Sequence, residues 1–265
     1  MRALWTAASG MTAQQLNVDV ISNNLSNVNT TSYKKDRIEF KDLLYETMDR
    51  ATVLNGQGKP VNLQVGSGTM PVATLKDFSK GSFEKTDGSL DFAINGDAFF
   101  TVQGPKGQNV YTRDGSFKIG LADDGNKLTT SEGYPVLDSD GNEIVLTIDA
   151  SKLNVAADGS MSYTDADGNV VDLGQKIGMV KFPNREGLES IGSNLYATTS
   201  ASGQPVADEE LGDKSVLSQG FLESSNVQVV EEMVKMIVAQ RAYEVNSKAI
   251  QTSDEMLGQA NNLKR

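Results

Sequence analysis

The stretch LWTAASGMTAQQLNVDVISNNLSNV, residues 4–28, repeats its apolar side chains at alternating spacings of three and four residues. The repeating positions are Leu4, Ala7, Met11, Gln14, Val18, Ile21, Leu25 and Val28, and all but Gln14 are apolar. This pattern places one apolar seam along a helix, as in coiled coils. We predict a long N-terminal helix that ends within the polar run 23–31, where residues that favour caps and turns are dense.

A second long helix is predicted near the C-terminus, after the N-cap candidates Ser224, Ser225 and Asn226. One seam of this helix comprises Val234, Val238, Ala242, Val245, Ala249, Thr252 and Met256, and an adjacent seam comprises Met233, Met236, Tyr243, Ile250 and Leu257. The apolar face is therefore wide, which is typical of a helix with several neighbours. The terminal helices could pair within one chain, but a single pairing would leave apolar surface exposed, so the pattern favours association between chains.

The middle of the chain differs from both ends. Residues 51–220 carry a net charge of −10 and all six prolines, whereas residues 1–50 and 221–265 carry net charges of 0 and −1. Short apolar runs such as 90–94 and 98–102 alternate with Asx-Gly turns, which is typical of β-hairpins. We therefore predict an all-β middle.

The predicted fold class is α+β, with long N- and C-terminal helices forming a coiled-coil-like domain and an all-β domain inserted between them. Residues 1–45 and 221–265 are assigned to a terminal helical polymerisation domain. Residues 46–70 form an extended or hairpin connecting segment, and residues 71–220 form a β-rich outer domain.

Composition excludes much chemistry. The 265 residues include no cysteine and no histidine, so disulfide scaffolds, thiolate metal sites and cysteine nucleophiles are excluded, and the commonest general base and metal ligand is missing. A net charge of −11 also argues against binding to a nucleic-acid backbone. No apolar run is long enough to span a membrane or to form the core of a signal peptide. We predict no enzyme, no cofactor and no metal site.

Two motifs resemble parts of known ligand sites. The acidic turns 138–143 and 165–169 resemble the start of an EF-hand loop but lack its later glycine and glutamate, so hairpin turns are favoured over calcium sites. The segment 56–59 hints at a phosphate loop, but Pro60 follows its lysine in a β context. Among the 35 acidic residues, nothing singles out a catalytic pair of carboxylates.

Several segments resemble motifs of the bacterial flagellar rod and hook family. The N-terminal signature is similar to residues 21–34, and the C-terminal signature is similar to residues 225–227 and 236–248. Internal blocks of the family resemble residues 93–100, 111–117 and 187–196. The length and the segment 46–70 are most similar to distal rod subunits, with proximal rod subunits as the nearest alternative; hook subunits are usually longer.

The resemblance implies a structural subunit that leaves the cell unfolded through the flagellar type III export apparatus, without cleavage of a signal peptide. It implies helical polymerisation into a hollow shaft outside the cytoplasmic membrane, in the periplasm or cell-wall layer. The implied partners are further copies of the chain, proximal rod and hook subunits, and surrounding ring proteins. A monomeric secreted binding protein with an acidic β domain is the alternative from a different class.

The seams and the resemblance together select candidate subunit-interface residues on both helices. They are Leu4, Met11, Val18, Ile21, Leu25, Val28, Val234, Ile237, Val238, Tyr243, Val245, Ile250 and Leu257.

Overall fold

The computed structural model describes residues 2–49, 62–105, 107–122, 125–146, 149, 152–165 and 169–262. Within these residues the chain is α+β, as the sequence predicts. Helix α1 spans Arg2–Ser26 and helix α2 spans Val229–Asn262, with a mostly β middle between them. Helix α1 ends inside the polar run that was expected to stop it.

Twenty strands lie between the helices in the described ranges. They are β1 (Asp36–Asp42), β2 (Tyr45–Asp49), β3 (Leu63–Gly66), β4 (Thr69–Lys76), β5 (Phe83–Lys85), β6 (Phe92–Asn95), β7 (Phe99–Gln103), β8 (Asn109–Thr112), β9 (Lys118–Ala122), β10 (Gly125–Thr129), β11 (Val145–Leu146), β12 (Leu153–Val155), β13 (Ser160–Thr164), β14 (Val170–Lys176), β15 (Met179–Lys181), β16 (Glu189–Gly192), β17 (Leu195–Ala197), β18 (Val206–Ala207), β19 (Val216–Gln219) and β20 (Phe221–Glu223). A 3-10 turn spans Arg185–Gly187.

The contacts divide the chain into two compact units. The helical unit comprises Met1–Ser26, Asp36–Lys76 and Gln228–Arg265, and the β unit comprises Asn27–Lys35 and Asp77–Val227. Each unit is therefore assembled from segments that are distant in sequence.

This division differs from the predicted domain boundaries. Residues 27–35 and 221–227 were assigned to the helical domain, but their hydrogen bonds and ion pairs place them in the β unit. Residues 36–45, also assigned to the helical domain, contain strand β1 and the start of β2. Periodicity defines where a helix lies, but it does not indicate which neighbours the flanking residues contact.

In the helical unit, α1 packs against α2 and against strands β1 and β4. Strands β1 and β4 pair antiparallel, and so do β2 and β3. Residues 50–61 of the predicted connecting segment 46–70, including the candidate phosphate loop at 56–59, lie outside the described residues.

One side chain in the last turns of α1 fixes the chain where it re-enters the helical unit. Asn24 donates from Nδ2 to the Asp36 carbonyl oxygen at 2.9 Å and accepts from the Asp36 N–H at 2.8 Å. Its Nδ2 also lies 3.2 Å from Oε2 of Glu232 on α2. The amide of Asn24 therefore satisfies both backbone groups of one residue and a buried carboxylate, which explains a polar side chain that is only 1% exposed.

The β unit contains an antiparallel six-stranded sheet in the order β16-β17-β8-β7-β15-β18. Two three-stranded sheets (β11-β10-β9 and β12-β13-β14) and two strand pairs (β19-β6 and β20-β5) complete its described sheets. The main core includes Phe92, Ile94, Phe100, Leu128 and Met161. A second cluster of edge-to-face aromatic rings comprises Phe78, Phe99, Tyr111, Phe182 and Tyr196.

Gly10 marks a close approach of the two helices. A Cβ atom at this position would lie 2.8 Å from Nδ2 of Asn246 on α2. A glycine that costs about 1 kcal/mol of helix propensity thus lies at a close contact between the helices.

We predict that Gly10→Ala is neutral or slightly stabilising, because the end of the Asn246 side chain can move aside. Gly10→Leu should lower the free energy of unfolding by about 2 kcal/mol, because the larger side chain overpacks the helix contact. Chemical denaturation followed by far-UV circular dichroism measures both. Equal stability of the two variants would show that the helices do not approach closely at residue 10.

Candidate assembly surface

Helix α2 buries its less apolar face. The covered positions recur at spacings of three and four residues along the side that packs on α1. They include Glu232 and Ala239, which are buried, and Met236, Asn246, Ile250 and Ser253, which are half-buried. Half of these six side chains are polar, so the contact with α1 uses little of the apolar surface of α2.

The more apolar face of α2 is open. Along it Val230, Met233, Val234, Ile237, Val238, Val245 and Met256 are each at least half exposed. Val238 is 63% exposed and Val245 is 66% exposed. These seven side chains, which lie between Val230 and Met256, are hereafter called the open face of α2. Soluble monomers rarely expose a patch of this kind without a binding role.

The candidate interface residues of α2 therefore fall into two groups. Val234, Ile237, Val238 and Val245 lie on the open face, and Tyr243 and Leu257 are more than a third exposed. Ile250 is half-buried on the covered side. The first predicted seam is thus almost entirely exposed, with only Ala242 half-buried, whereas the second seam has Met236 and Ile250 half-buried.

The candidate residues near the N-terminus are more covered. Ile21 is 3% exposed, and Leu4, Met11, Val18 and Leu25 are half-buried. Val28 is also half-buried, but it lies beyond the end of α1 and in the β unit. The predicted seam of α1 is therefore its inner face in the single chain, while Trp5, 76% exposed, lies on its outer face.

The three N-cap candidates lie before α2 rather than at its first turn, since the helix begins at Val229. Asn226 instead joins other segments of the β unit. Its Oδ1 accepts the Lys35 N–H at 2.9 Å, and its Nδ2 donates to the Asp77 carbonyl oxygen at 2.7 Å. The Asn226 side chain therefore holds together two backbone segments that are about 40 residues apart in sequence.

The β unit buries an ion cluster that the sequence did not indicate. Oε1 of Glu223 lies 2.7 Å from Nζ of Lys34, and Oε2 lies 3.0 Å from Nε of Arg113. None of these three side chains is more than 1% exposed. We call Lys34, Arg113 and Glu223 the buried ion cluster.

Each cation of the cluster also donates to backbone carbonyls. Lys34 donates to the carbonyl oxygen of Ser79 at 2.8 Å. The guanidinium of Arg113 donates to three more carbonyls, those of Ile94, Gly96 and Ala98. The buried charges are thus almost fully hydrogen-bonded, as buried ions must be.

The pKa values reflect this setting. Burial, with the repulsion of Arg113, lowers the pKa of Lys34 to about 8, although Glu223 acts in the opposite direction. Burial alone would raise the pKa of Glu223, but the charges of Arg113 and Lys34 and its hydrogen bonds hold it below the ordinary value. The carboxylate of Glu223 is therefore stabilised in its ionised form, whereas the charged form of Lys34 is destabilised by burial.

The residues of the buried ion cluster lie in or near segments that resemble family motifs, which a search for periodicity does not detect. Lys34 and Arg113 lie inside two of the segments that resemble family motifs, and Glu223 lies two residues before a third. A lysine or arginine is usually read as a solvated surface residue, so only the motif context could have pointed to them.

The acidic turns have hairpin geometry where the structure describes them. Gly141 adopts a positive φ of 83°, which favours glycine, and the Asp165 N–H donates to the Asn169 carbonyl oxygen at 3.0 Å. Asp138 Oδ1 accepts the N–H groups of Ser139 and Lys176. Residues 166–168 lie outside the described residues. In the part of the chain that is described, no group of three or more acidic side chains is arranged to hold a metal ion.

Comparisons with known proteins match three parts of the chain. Residues 4–34 match a model described as flagella basal body rod protein, and residues 218–263 match the flagellar basal body rod FlgEFG protein C-terminal model. Residues 93–163 match the flagellar hook protein FlgE/F/G D1 domain. The two outer matches cover α1 and α2, and the inner one lies in the β unit.

Full-length relatives agree with these matches. A flagellar basal-body rod protein FlgG of Borreliella burgdorferi is 50% identical, over 100% of this chain and 99% of its own. Proteins of the same name from Buchnera aphidicola subsp. Schizaphis graminum and Bacillus subtilis are 45% and 40% identical, over 96% and 100% of both chains. The chain belongs to the flagellar basal-body rod protein family, a family of structural proteins, and the predicted resemblance is confirmed.

Neither described helix contains an 18-residue stretch apolar enough to cross a membrane.

The lowered pKa of Lys34 predicts a pH dependence of stability. The unfolded lysine has a pKa of 10.5 and the folded one a pKa of about 8, so the unfolded chain holds more protons between these values. The free energy of unfolding should therefore rise with pH across this window, whereas below pH 8 the full cost of the buried charge is present. Urea unfolding at pH 7.5 and 9.5 should show the wild type gaining about 2 kcal/mol relative to Lys34→Met.

Lys34→Met is the control for every other group that titrates in this range, including Tyr111, whose pKa burial raises. Parallel stability profiles of the two proteins would show that Lys34 does not titrate near pH 8 in the folded chain.

Calcium provides a separate test of the acidic turns. Because their described members form hairpins, millimolar calcium should shift the melting temperature by less than about 1 °C, since specific binding would raise it by mass action. A rise of several degrees that Asp140→Ala abolishes would contradict the hairpin interpretation.

Proposed function

We propose that this chain is a structural subunit of the flagellar rod, and of its distal part, that polymerises helically into the hollow shaft transmitting motor torque to the hook. Family membership and full-length relatives named as rod proteins support the first part of this proposal. The observation that carries the assembly mechanism is the open face of α2. It offers apolar surface that the chain itself leaves uncovered.

The geometry supports contacts between copies rather than a small-molecule site. Covering a half-exposed aliphatic side chain gains about 1 kcal/mol, so the four valines, one isoleucine and two methionines of the open face offer a substantial driving force. If the open face meets a different surface on the next copy, the contact is heterologous and does not close, which generates a helical polymer. The exposed side of α1, with Trp5 near its start, is a second helical surface available for such contacts.

The candidate interface residues then act in two ways. Val234, Ile237, Val238 and Val245 contact neighbouring copies directly, with Tyr243 and Leu257 at the margin. Leu4, Met11, Val18, Ile21, Leu25, Val28 and Ile250 hold the terminal segments in shape, and those that are half-buried contribute their remaining surface. The covered positions of α1 and α2 recur every three or four residues, which supports a coiled-coil-like pairing of the helices.

The remaining parts of the proposal follow the family. Further copies of the chain, proximal rod subunits and hook subunits are the axial partners, and ring proteins surround the shaft. The chain crosses the cytoplasmic membrane through the flagellar type III export apparatus without signal cleavage and acts in the basal body outside that membrane. It carries out no catalysis and uses no cofactor.

A single exposed residue tests the role of the open face. Val238→Asp places a charge on this face without disturbing a buried contact, so the isolated chain should fold as the wild type does. Val238→Thr, which has nearly the same shape and no charge, is the matched control. In a strain lacking the native protein, Val238→Asp should abolish motility and leave no complete rods in isolated basal bodies, because an unpaired buried charge costs several kcal/mol per contact.

Val238→Thr should retain rods and motility. Normal rods with Val238→Asp would overturn the assignment of the open face to assembly. If the purified wild-type chain also stays monomeric at high concentration, the monomeric binding protein becomes the better description.

A further inference from the structure

The buried ion cluster carries two cations and one carboxylate in a region closed to water. Each oxygen of Glu223 binds one cation, Lys34 at 2.7 Å and Arg113 at 3.0 Å. The cluster is therefore left with one excess positive charge when complete, and with two when Glu223 is absent. Burial of unpaired charge is among the costliest events in folding.

Glu223 also holds the backbone of two other segments. Its carbonyl oxygen accepts the N–H of Ser32 at 2.7 Å, and its Oε1 accepts the N–H of Gly81 at 2.9 Å. Ser32 has a φ of 55°, an unusual conformation for a residue with a side chain, and its Oγ donates to the Arg113 carbonyl oxygen at 2.8 Å. One residue of β20 thus fixes the chain near residues 32, 81 and 113.

The three residues of the buried ion cluster lie far apart along the chain, and Glu223 comes last. Lys34 belongs to the first segment of the β unit, and Arg113 follows strand β8 in its middle. Glu223 comes four residues before Val227, where the β unit ends. The sole carboxylate that bridges both cations, among the described residues, is therefore almost the last part of the β unit to be made or delivered.

We propose that Glu223 gates the folding of the β unit: the unit stays open until residues 221–227 arrive, because without the carboxylate Lys34 and Arg113 would be buried uncompensated. The biological role of this gating rests on the proposed function. A chain that leaves an export channel N-terminus first would keep its β unit open until the start of the C-terminal signature had emerged. The gating itself is a property of the purified chain.

The test uses the full-length chain and hydrogen exchange at pH 7, followed peptide by peptide. Glu223→Gln should speed exchange at least about a hundredfold throughout the β unit, including β8 and β15, because the whole unit opens together. Glu209→Gln is the matched control: it removes an exposed carboxylate that pairs with two lysines, Lys176 and Lys214. This variant should change exchange less than about threefold.

A charge-restoring variant separates compensation from mere loss of contacts. Lys34→Met combined with Glu223→Gln returns the cluster to one excess positive charge, as in the wild type. This double variant should recover most of the protection that Glu223→Gln loses, and it remains informative if the single variant fails to fold. Lys34→Met alone should slow exchange or leave it unchanged.

Two outcomes would overturn the proposal. If Glu223→Gln speeds hydrogen exchange only in residues 27–35 and 221–227, Glu223 stabilises these segments locally and does not control the folding of the whole β unit. Additive losses in the double variant would show that Glu223 does not act by balancing charge. Because exchange is measured on the isolated chain, failure here is distinct from failure of assembly through Val238.

Discussion

The structure depends on one carboxylate that reaches two cations. Glu223 joins the first segment of the β unit, through Lys34, to its middle, through Arg113, and so makes a single body out of residues remote in sequence. The desolvation of these charges is repaid only when the three side chains and their carbonyl partners are all in place. This requirement explains why short segments flanking the two helices belong structurally to the β unit.

The helices were predictable because their signal is local. Periodicity locates α1, and the polar run explains its end at Ser26. The β middle was predictable from turn chemistry, as Gly141 shows. Periodicity also indicated surplus apolar surface on α2, but it could not tell which of two seams faces α1, because that choice depends on the close approach at Gly10 and on the buried pairing of Asn24 with Glu232.

The contacts that could not be predicted from the sequence are those of buried polar side chains. Asn226 resembles a helix cap in sequence, yet its amide joins Lys35 to Asp77. Lys34 and Arg113 resemble surface residues, yet both are buried. Such assignments depend on contacts between residues tens to hundreds of positions apart, and no window of neighbouring residues contains them. These residues lie inside segments that resemble family motifs, so such segments contribute contacts within the β unit as well as helices.

The two faces of α2 have a consequence for the single subunit. An ordinary amphipathic helix hides its apolar side in its own chain, whereas α2 turns Glu232, Asn246 and Ser253 inward and leaves valines and methionines in water. Little of the stability of the C-terminal half of this helix is therefore supplied by its own molecule. If copies assemble through the open face as proposed, the order of this helix depends on subunit concentration, in the same way as any state that a ligand stabilises.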